Sequence, residues 1–132
     1  MSSRDYKELL PEMQLLFLNF DAAMKAAGIP YDVTCTYRSQ AEQDALYEQG
    51  RSKPGAIVTW THKSLHILRK AFDIVILKDK KPTWDLKVDV NDDQIPDYAE
   101  AGAIGERCGL EWGGSWTAQK KDYPHFQLRT MG

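Results

Sequence analysis

The run Ala71-Phe72-Asp73-Ile74-Val75-Ile76-Leu77 constrains the fold more than any other part of this chain. Its apolar and β-branched residues predict a strand within a core, and Asp73 is the single charge in it. An ionised carboxylate at such a place is costly unless a cation or several donors compensate it. Whatever sheet forms around this strand must therefore bring a partner to Asp73.

The flanking segments supply the rest of a small domain. Leu9, Met13, Leu16, Phe20 and Met24 recur at helical spacing, which predicts an amphipathic helix from about Tyr6 to Ala27, stopped by Gly28 and Pro30. Tyr31 to Arg38 reads as a strand, with Val33, Cys35 and Tyr37 on one face and Thr34, Thr36 and Arg38 on the other. Ser39 and Glu42 match a capping box for a short helix that stops near Gly50. Residues 51–63 read as a surface loop whose end, Trp60 to Ser64, borders a site.

After the apolar strand, Lys78 to Val90 reads as a turn with an irregular or hairpin excursion. Asn91 to Asp93 then read as caps of a helix running to about Cys108, an explanation that dispenses with a calcium ion. Leu110 to Trp116 and His125 to Leu128 read as two short strands. Helices and mostly antiparallel strands are segregated, so the expected class is α+β. At 132 residues, with no repeat or linker, residues 1–132 are expected to form one domain with no separate second module.

A formal net charge of -2 offers no general attraction to nucleic acid or anionic lipid. Cys35 and Cys108 lie in no metal-ligand spacing and are expected as buried free thiols. Arg4, Asp5, Lys7 and Glu8 stand where a signal peptide needs an apolar stretch, and no run is long enough to span a bilayer. The expectation is a monomer made in the cytoplasm without an export signal, neither inserted in the membrane nor bound to nucleic acid.

The partners available to Asp73 are histidines. Two imidazoles and a carboxylate, His66, Asp73 and His125, form a suitable three-ligand shell for Zn²⁺, with a fourth position for a water whose pKa falls to about 7. His62 competes with His66 as a ligand, but its place in the loop predicts exposure. A carboxylate near the water has to take its proton and pass it to the leaving amine. Asp122, three residues before His125, is the first candidate for that base and Glu111 the second. Arg38 has the chemistry to stabilise an oxyanion, and equally to form a surface ion pair. Trp60, Trp112 and Trp116 are candidates for a substrate groove or for packing, and Ser64 for a substrate contact or a turn cap.

Ser64-x-His66-x-x-Arg69-x-Ala71-x-Asp73 together with Asp122-x-x-His125 resembles the family of zinc peptidases that contains D-alanyl-D-alanine carboxypeptidases and L-alanyl-D-glutamate endopeptidases. The resemblance extends upstream through Thr36-Tyr37-Arg38-Ser39, Gln43, Leu46-Tyr47, Gly50-Arg51 and Pro54-Gly55. It implies zinc on His66, Asp73 and His125, a base at Asp122, and contact with the transition state by Arg38. It also implies an α+β fold with a central antiparallel sheet, of the type shared with the zinc-bearing domain of Hedgehog signalling proteins. The chain departs from the family pattern at Arg69, where glycine is usual, and at Ile67, where asparagine is frequent. A glycine at that place permits a backbone conformation that arginine resists.

The function expected from the resemblance is cleavage of the L-Ala–D-Glu bond in the stem peptide of peptidoglycan. A single-domain phage endolysin fits, one that reaches the wall once another protein opens the membrane. A D-alanyl-D-alanine carboxypeptidase with the same metal chemistry is the near alternative. A zinc-stabilised module that binds a wall peptide without cutting it is the alternative of another class.

Overall fold

A computed structural model describes residues 2–59, 61–117 and 120–129. The sheet is assembled from β1 (Tyr31–Cys35), β2 (Ala71–Lys78), β3 (Lys81–Thr83), β4 (Leu110–Trp112) and β5 (His125–Leu128). Helices α1 (Pro11–Ala27), α2 (Gln40–Glu48) and α3 (Asp97–Arg107) complete the α+β domain. Strand order is β1-β2-β5-β4, with β3 also paired to β2, and each pairing is antiparallel. None of the described helices is long and apolar enough to cross a membrane.

The apolar strand takes the central place its composition predicts. Phe72, Ile74 and Ile76 are buried against Phe17, Phe20 and Met24 of α1 and Phe126 of β5. Phe72 and Phe126 stack with centroids 5.4 Å apart, and Phe20 tilts against Phe126 at 4.8 Å. Side chains alternate across a strand. Burying Phe72 and Phe126 on one face therefore commits Asp73 and His125 to the other.

The long N-terminal helix is shorter than its periodicity predicts. Tyr6–Glu8 form a 3-10 turn, and α1 opens at Pro11. Proline lacks an N–H and is accommodated in the first turn, whereas within a helix it removes a hydrogen bond. Gly28 closes α1 in the left-handed conformation (φ 73°), as expected. The capping box is present: Ser39 Oγ accepts from Glu42 N, and the Glu42 carboxylate accepts from Ser39 N. The hairpin after β2 turns through Asp79 and Lys80, both at positive φ.

Two sequence expectations fail in the second half. α3 begins at Asp97, behind Pro96, and has no side-chain cap, so Asn91 to Asp93 do not cap it. Those residues belong to a separate loop held by Asp89, whose carboxylate accepts from Asp93 N and Gln94 N. The strand read through Trp116 stops at Trp112, because Gly113–Ser115 wind into a 3-10 turn. β1 likewise ends at Cys35, leaving Tyr37 and Arg38 in the connection to α2.

Candidate metal centre

Sheet register builds the centre. Cys35 on β1 lies opposite Asp73 on β2, and Asp73 lies opposite His125 on β5. Three strands thus present side chains at one level. His66 arrives from the loop before β2, where Ser64 Oγ accepts from His66 N and stabilises the turn. Asp73 Oδ1 lies 2.9 Å from His125 Nδ1, and Asp73 Oδ2 lies 3.1 Å from His66 Nε2. The two imidazole centroids are 5.3 Å apart.

The tautomer of His125 follows from its other neighbours. Gln127 Nε2 donates to Glu111 Oε2 at 3.1 Å, which turns Gln127 Oε1 toward His125 Nε2, 2.8 Å away. A neutral His125 therefore carries its proton on Nε2 and offers the Nδ1 lone pair toward Asp73 and His66. Such outer contacts fix metal-ligating imidazoles in general. Sequence reasoning missed Gln127, because an alternating polar residue in a short strand resembles one that faces solvent.

His66 supplies the test of whether a metal fits. The residue is 2% exposed, and its Nε2 makes no hydrogen bond despite its closeness to Asp73. A buried, unpartnered nitrogen beside a carboxylate and a second imidazole suits an ion with mixed N and O ligands. Cys35 Sγ, a His66 nitrogen and an Asp73 oxygen also lie within 4.8 Å of one another. The sulfur, however, faces His66 Nδ1 at 3.4 Å and receives Arg38 Nη2 at 3.4 Å, on the opposite side of the His66 ring from Nε2. The donor set that engages the unpartnered His66 Nε2 is His66, Asp73 and His125.

Electrostatics without an ion agree with this grouping. Burial alone lowers the pKa of His66, but Asp73 and then Cys35 outweigh it and raise the value to about 10. Burial alone raises Asp73, yet the two imidazoles beside it, His125 and then His66, hold its carboxyl well below the usual range. The pair behaves as a partly buried carboxylate seeking a cation.

A cavity of about 720 Å³ opens above these residues, lined among others by Arg38, Lys63, Ser64, Trp116, Lys120 and Asp122. The family model described as D-alanyl-D-alanine carboxypeptidase matches residues 58–128, a span that contains His66, Asp73, Asp122 and His125. The peptidoglycan L-alanyl-D-glutamate endopeptidase CwlK of Bacillus subtilis (strain 168) is 40% identical over 116 residues, covering 83% of this chain and 69% of that one. The chain belongs to this peptidase family.

The crystal structure of the L-Ala D-Glu endopeptidase ChiX of Serratia marcescens shares the family member's fold. Its TM-score is 0.71 at 22% identity, over 98% of this chain and 89% of that one. Asp122 N donates to Gly113 O at 3.0 Å, and His125 N donates to Asp122 O at 3.1 Å, so the tight turn before β5 sets Asp122 beside His125. Asp122 is exposed, yet desolvation by the surrounding protein raises its pKa, as does the Asp73 charge; His125, His66 and Arg38 oppose the shift.

Arg38 is held at the cavity wall by Gln43 Oε1 (2.7 Å) and Cys35 Sγ. Gln43, itself 1% exposed, belongs to the pattern read in the sequence, but its part in holding Arg38 emerges only from the fold. Glu111 does not line the cavity; it accepts from Trp116 Nε1 at 3.0 Å and from Gln127. Trp116 does line the cavity, its ring 5.3 Å from His125.

Trp112 corrects the groove expectation. Its Nε1 donates to Tyr123 O at 2.8 Å, and its ring packs where a side chain on Gly102 or Gly114 would lie, within 2.4 Å of a Cβ at either position. It is a packing residue. Trp60 lies outside the described residues. His62 is exposed as expected, paired with Asp44 at 2.9 Å. Cys35 and Cys108 are free thiols, Cys35 buried and Cys108 partly so.

Arg69 occupies the left-handed region (φ 62°), the conformation that the family's usual glycine accommodates without strain. Its guanidinium stacks over Tyr37 at 3.9 Å and pairs with Glu8, while Leu10 N donates to Arg69 O at 3.1 Å. These contacts clamp the N-terminal turn onto the loop that carries His66.

Proposed function

We propose that this family member is a zinc-dependent peptidase that cleaves the L-Ala–D-Glu bond of peptidoglycan stem peptides. The observation that carries the reading is the convergence of His66 Nε2, Asp73 and His125 Nδ1 at the foot of a cavity whose rim holds Asp122. CwlK, an endopeptidase of that specificity by name, favours this bond over the terminal D-Ala–D-Ala bond. A carboxypeptidase remains the second reading, on the description of the family model.

When bound by His66, Asp73 and His125, zinc supplies a Lewis acid and lowers the pKa of a water to about 7. Asp122 takes the proton of the attacking water and delivers it to the amine leaving group as the peptide bond breaks. Its raised pKa brings it closer to neutrality, where a group can serve as base and then as acid. Arg38, pinned by Gln43 at the cavity wall, is the cation available to stabilise the oxygen that gains negative charge. Lys63 and Lys120 line the same cavity and offer cations to the carboxylates of a stem peptide. In this reading the protein acts on the cell wall as an endolysin.

The decisive experiment is mass spectrometry of diaminopimelate-type peptidoglycan digested with the zinc-loaded protein, against a chelated control. Fragments beginning at D-Glu, seen only with metal, are expected. Loss of terminal D-Ala alone would transfer the assignment to the carboxypeptidase, and absence of both products would leave a wall-binding module. Asp122→Ala is expected to abolish turnover while zinc content stays at one equivalent; turnover at the parent rate would remove Asp122 from the base role.

A further inference from the structure

The segment Asp89-Val90-Asn91-Asp92-Asp93-Gln94-Ile95-Pro96-Asp97-Tyr98-Ala99-Glu100 holds five carboxylates in twelve residues and no basic side chain. None of these residues lines the cavity. Oxygen donors stand at the first, third, fifth, ninth and twelfth places, with the Ile95 carbonyl at the seventh. This is the donor spacing of a calcium loop of the EF-hand type. That loop turns sharply at its sixth residue, ordinarily glycine; here Gln94 adopts the turn at φ 70°. The exiting helix begins at the ninth place, as α3 begins at Asp97.

An independent observation points to a ligand. Asp97 is 0% exposed; its Oδ2 accepts from Val90 N at 2.6 Å, while its Oδ1 is buried with no partner. An unpaired carboxylate oxygen out of water is costly, and the N-terminus of α3 uses no side-chain cap that would explain the carboxylates otherwise. Asn91 Oδ1 is buried and unpartnered as well. Asn91 Nδ2 instead lies among three oxygens, Ala27 O at 2.8 Å, Glu100 Oε1 at 3.2 Å and Asp93 Oδ2 at 3.4 Å.

We propose that residues 89–100 form a Ca²⁺ site, with oxygens from Asp89, Asn91, Asp93, Asp97, Glu100 and the Ile95 carbonyl, separate from the peptidase centre. Turning the Asn91 amide over presents its free oxygen to the ion. A hard cation with six to eight oxygen ligands and tolerant geometry matches this donor set; Mg²⁺, which keeps its waters in a strict octahedron, matches it less well. Without the ion, Asn91 Nδ2 donates to Ala27 O, so the site lies between the C-terminal end of α1 and the start of α3. α3 in turn lies under β5, where Gly105 admits Phe126. Calcium therefore stabilises the scaffold of the catalytic centre without entering it.

The test uses the full zinc-loaded chain freed of other divalent ions and titrated with CaCl₂ by calorimetry, with thermal unfolding in parallel. One equivalent of Ca²⁺ is expected to bind, and at a hundredfold excess over Kd the Tm is expected to rise by about 5–10 °C. Glu100→Gln and Asp93→Asn, at partly exposed and exposed positions, are expected to weaken Ca²⁺ binding at least about tenfold with parent-like circular dichroism and zinc content. The proposal fails if the parent shows no saturable uptake up to about 10 mM Ca²⁺. It fails equally if both variants bind as the parent does, or if Mg²⁺ binds as tightly.

Discussion

Gly113→Ala separates the positioning of Asp122 from the stability of the fold. A Cβ on Gly113 would lie 2.3 Å from the Asp122 carbonyl oxygen and 3.1 Å from Asp122 Cβ. Gly113 is not at positive φ, so its backbone suits alanine and the conflict is one of space alone. The nearest obstacle is backbone and cannot rotate aside, so the turn before β5 must withdraw by about 1 Å to restore ordinary contact, and displacements of that size at reacting groups cost roughly 100-fold in rate. Overpacking of this kind costs about 1–3 kcal/mol of stability. The expected result is a roughly 100-fold lower kcat on stem peptide with one equivalent of zinc retained, since the ligands rest on β2, β5 and the His66 loop. Gly109→Ala is the control: its Cβ meets nothing closer than 3.7 Å, but φ 98° makes alanine strained. That variant should lose stability and keep kcat. Chromatographic peptide assays, metal analysis and thermal melts read all three quantities, and a Gly113→Ala enzyme within twofold of the parent rate would refute the argument that this contact sets Asp122.

The remaining predictions concern the supports of the centre. In metal-free protein, His66 has its pKa raised from 6.5 to about 10, so its contribution to stability is complete below 6.5 and declines as pH rises toward 10. Thermal melts should show that decline, while zinc affinity rises across the same window as the competing proton departs; a flat profile in both would contradict the ion pair. Asp73, with its pKa depressed, contributes stability above 3.8 that is lost as pH falls below it, so acid should release the metal and loosen the fold together. Gln127→Leu removes the acceptor for His125 Nε2–H and is expected to weaken zinc binding about 10- to 100-fold, measured by competition with a chelator. Arg69→Gly relieves a left-handed arginine but removes the ring stacking and the Glu8 pair, so the stability change should stay within about 1 kcal/mol. Its kcat/KM should match the parent, and a change beyond fivefold would show that Arg69 reaches substrate.

The elements legible in the sequence were those where one residue type has one physical use. Asp73 in an apolar strand demanded partners, Gly28 ended a helix, and Ser39 with Glu42 formed the capping box. The peptidase family was likewise legible, because its motif residues recur at fixed spacing. Residues with two uses were harder. Asn and Asp serve as helix caps and as loop oxygens alike, so Asn91 to Asp93 gave no warning that α3 would wait for Asp97. Tryptophan fills a groove or a core, and only the approach of Gly102 and Gly114, brought together by folding, assigns Trp112 to packing. Gln127 was invisible because its importance lies in joining His125, two residues back on its own strand, to Glu111, which it meets only across the β4–β5 ladder.

The pairing of Phe72 with Phe126 and of Asp73 with His125 in one ladder makes the core an error check on the catalytic centre. A slip of β5 by one residue would turn His125 into the aromatic layer and Phe126 toward the cavity, an exchange of a buried ring for a buried imidazole that the chain has every energetic reason to reject. Correct alignment of the ligands is thereby verified during folding by residues that never touch metal or substrate. A molecule that has sealed its aromatic layer has also set Asp73 beside His125.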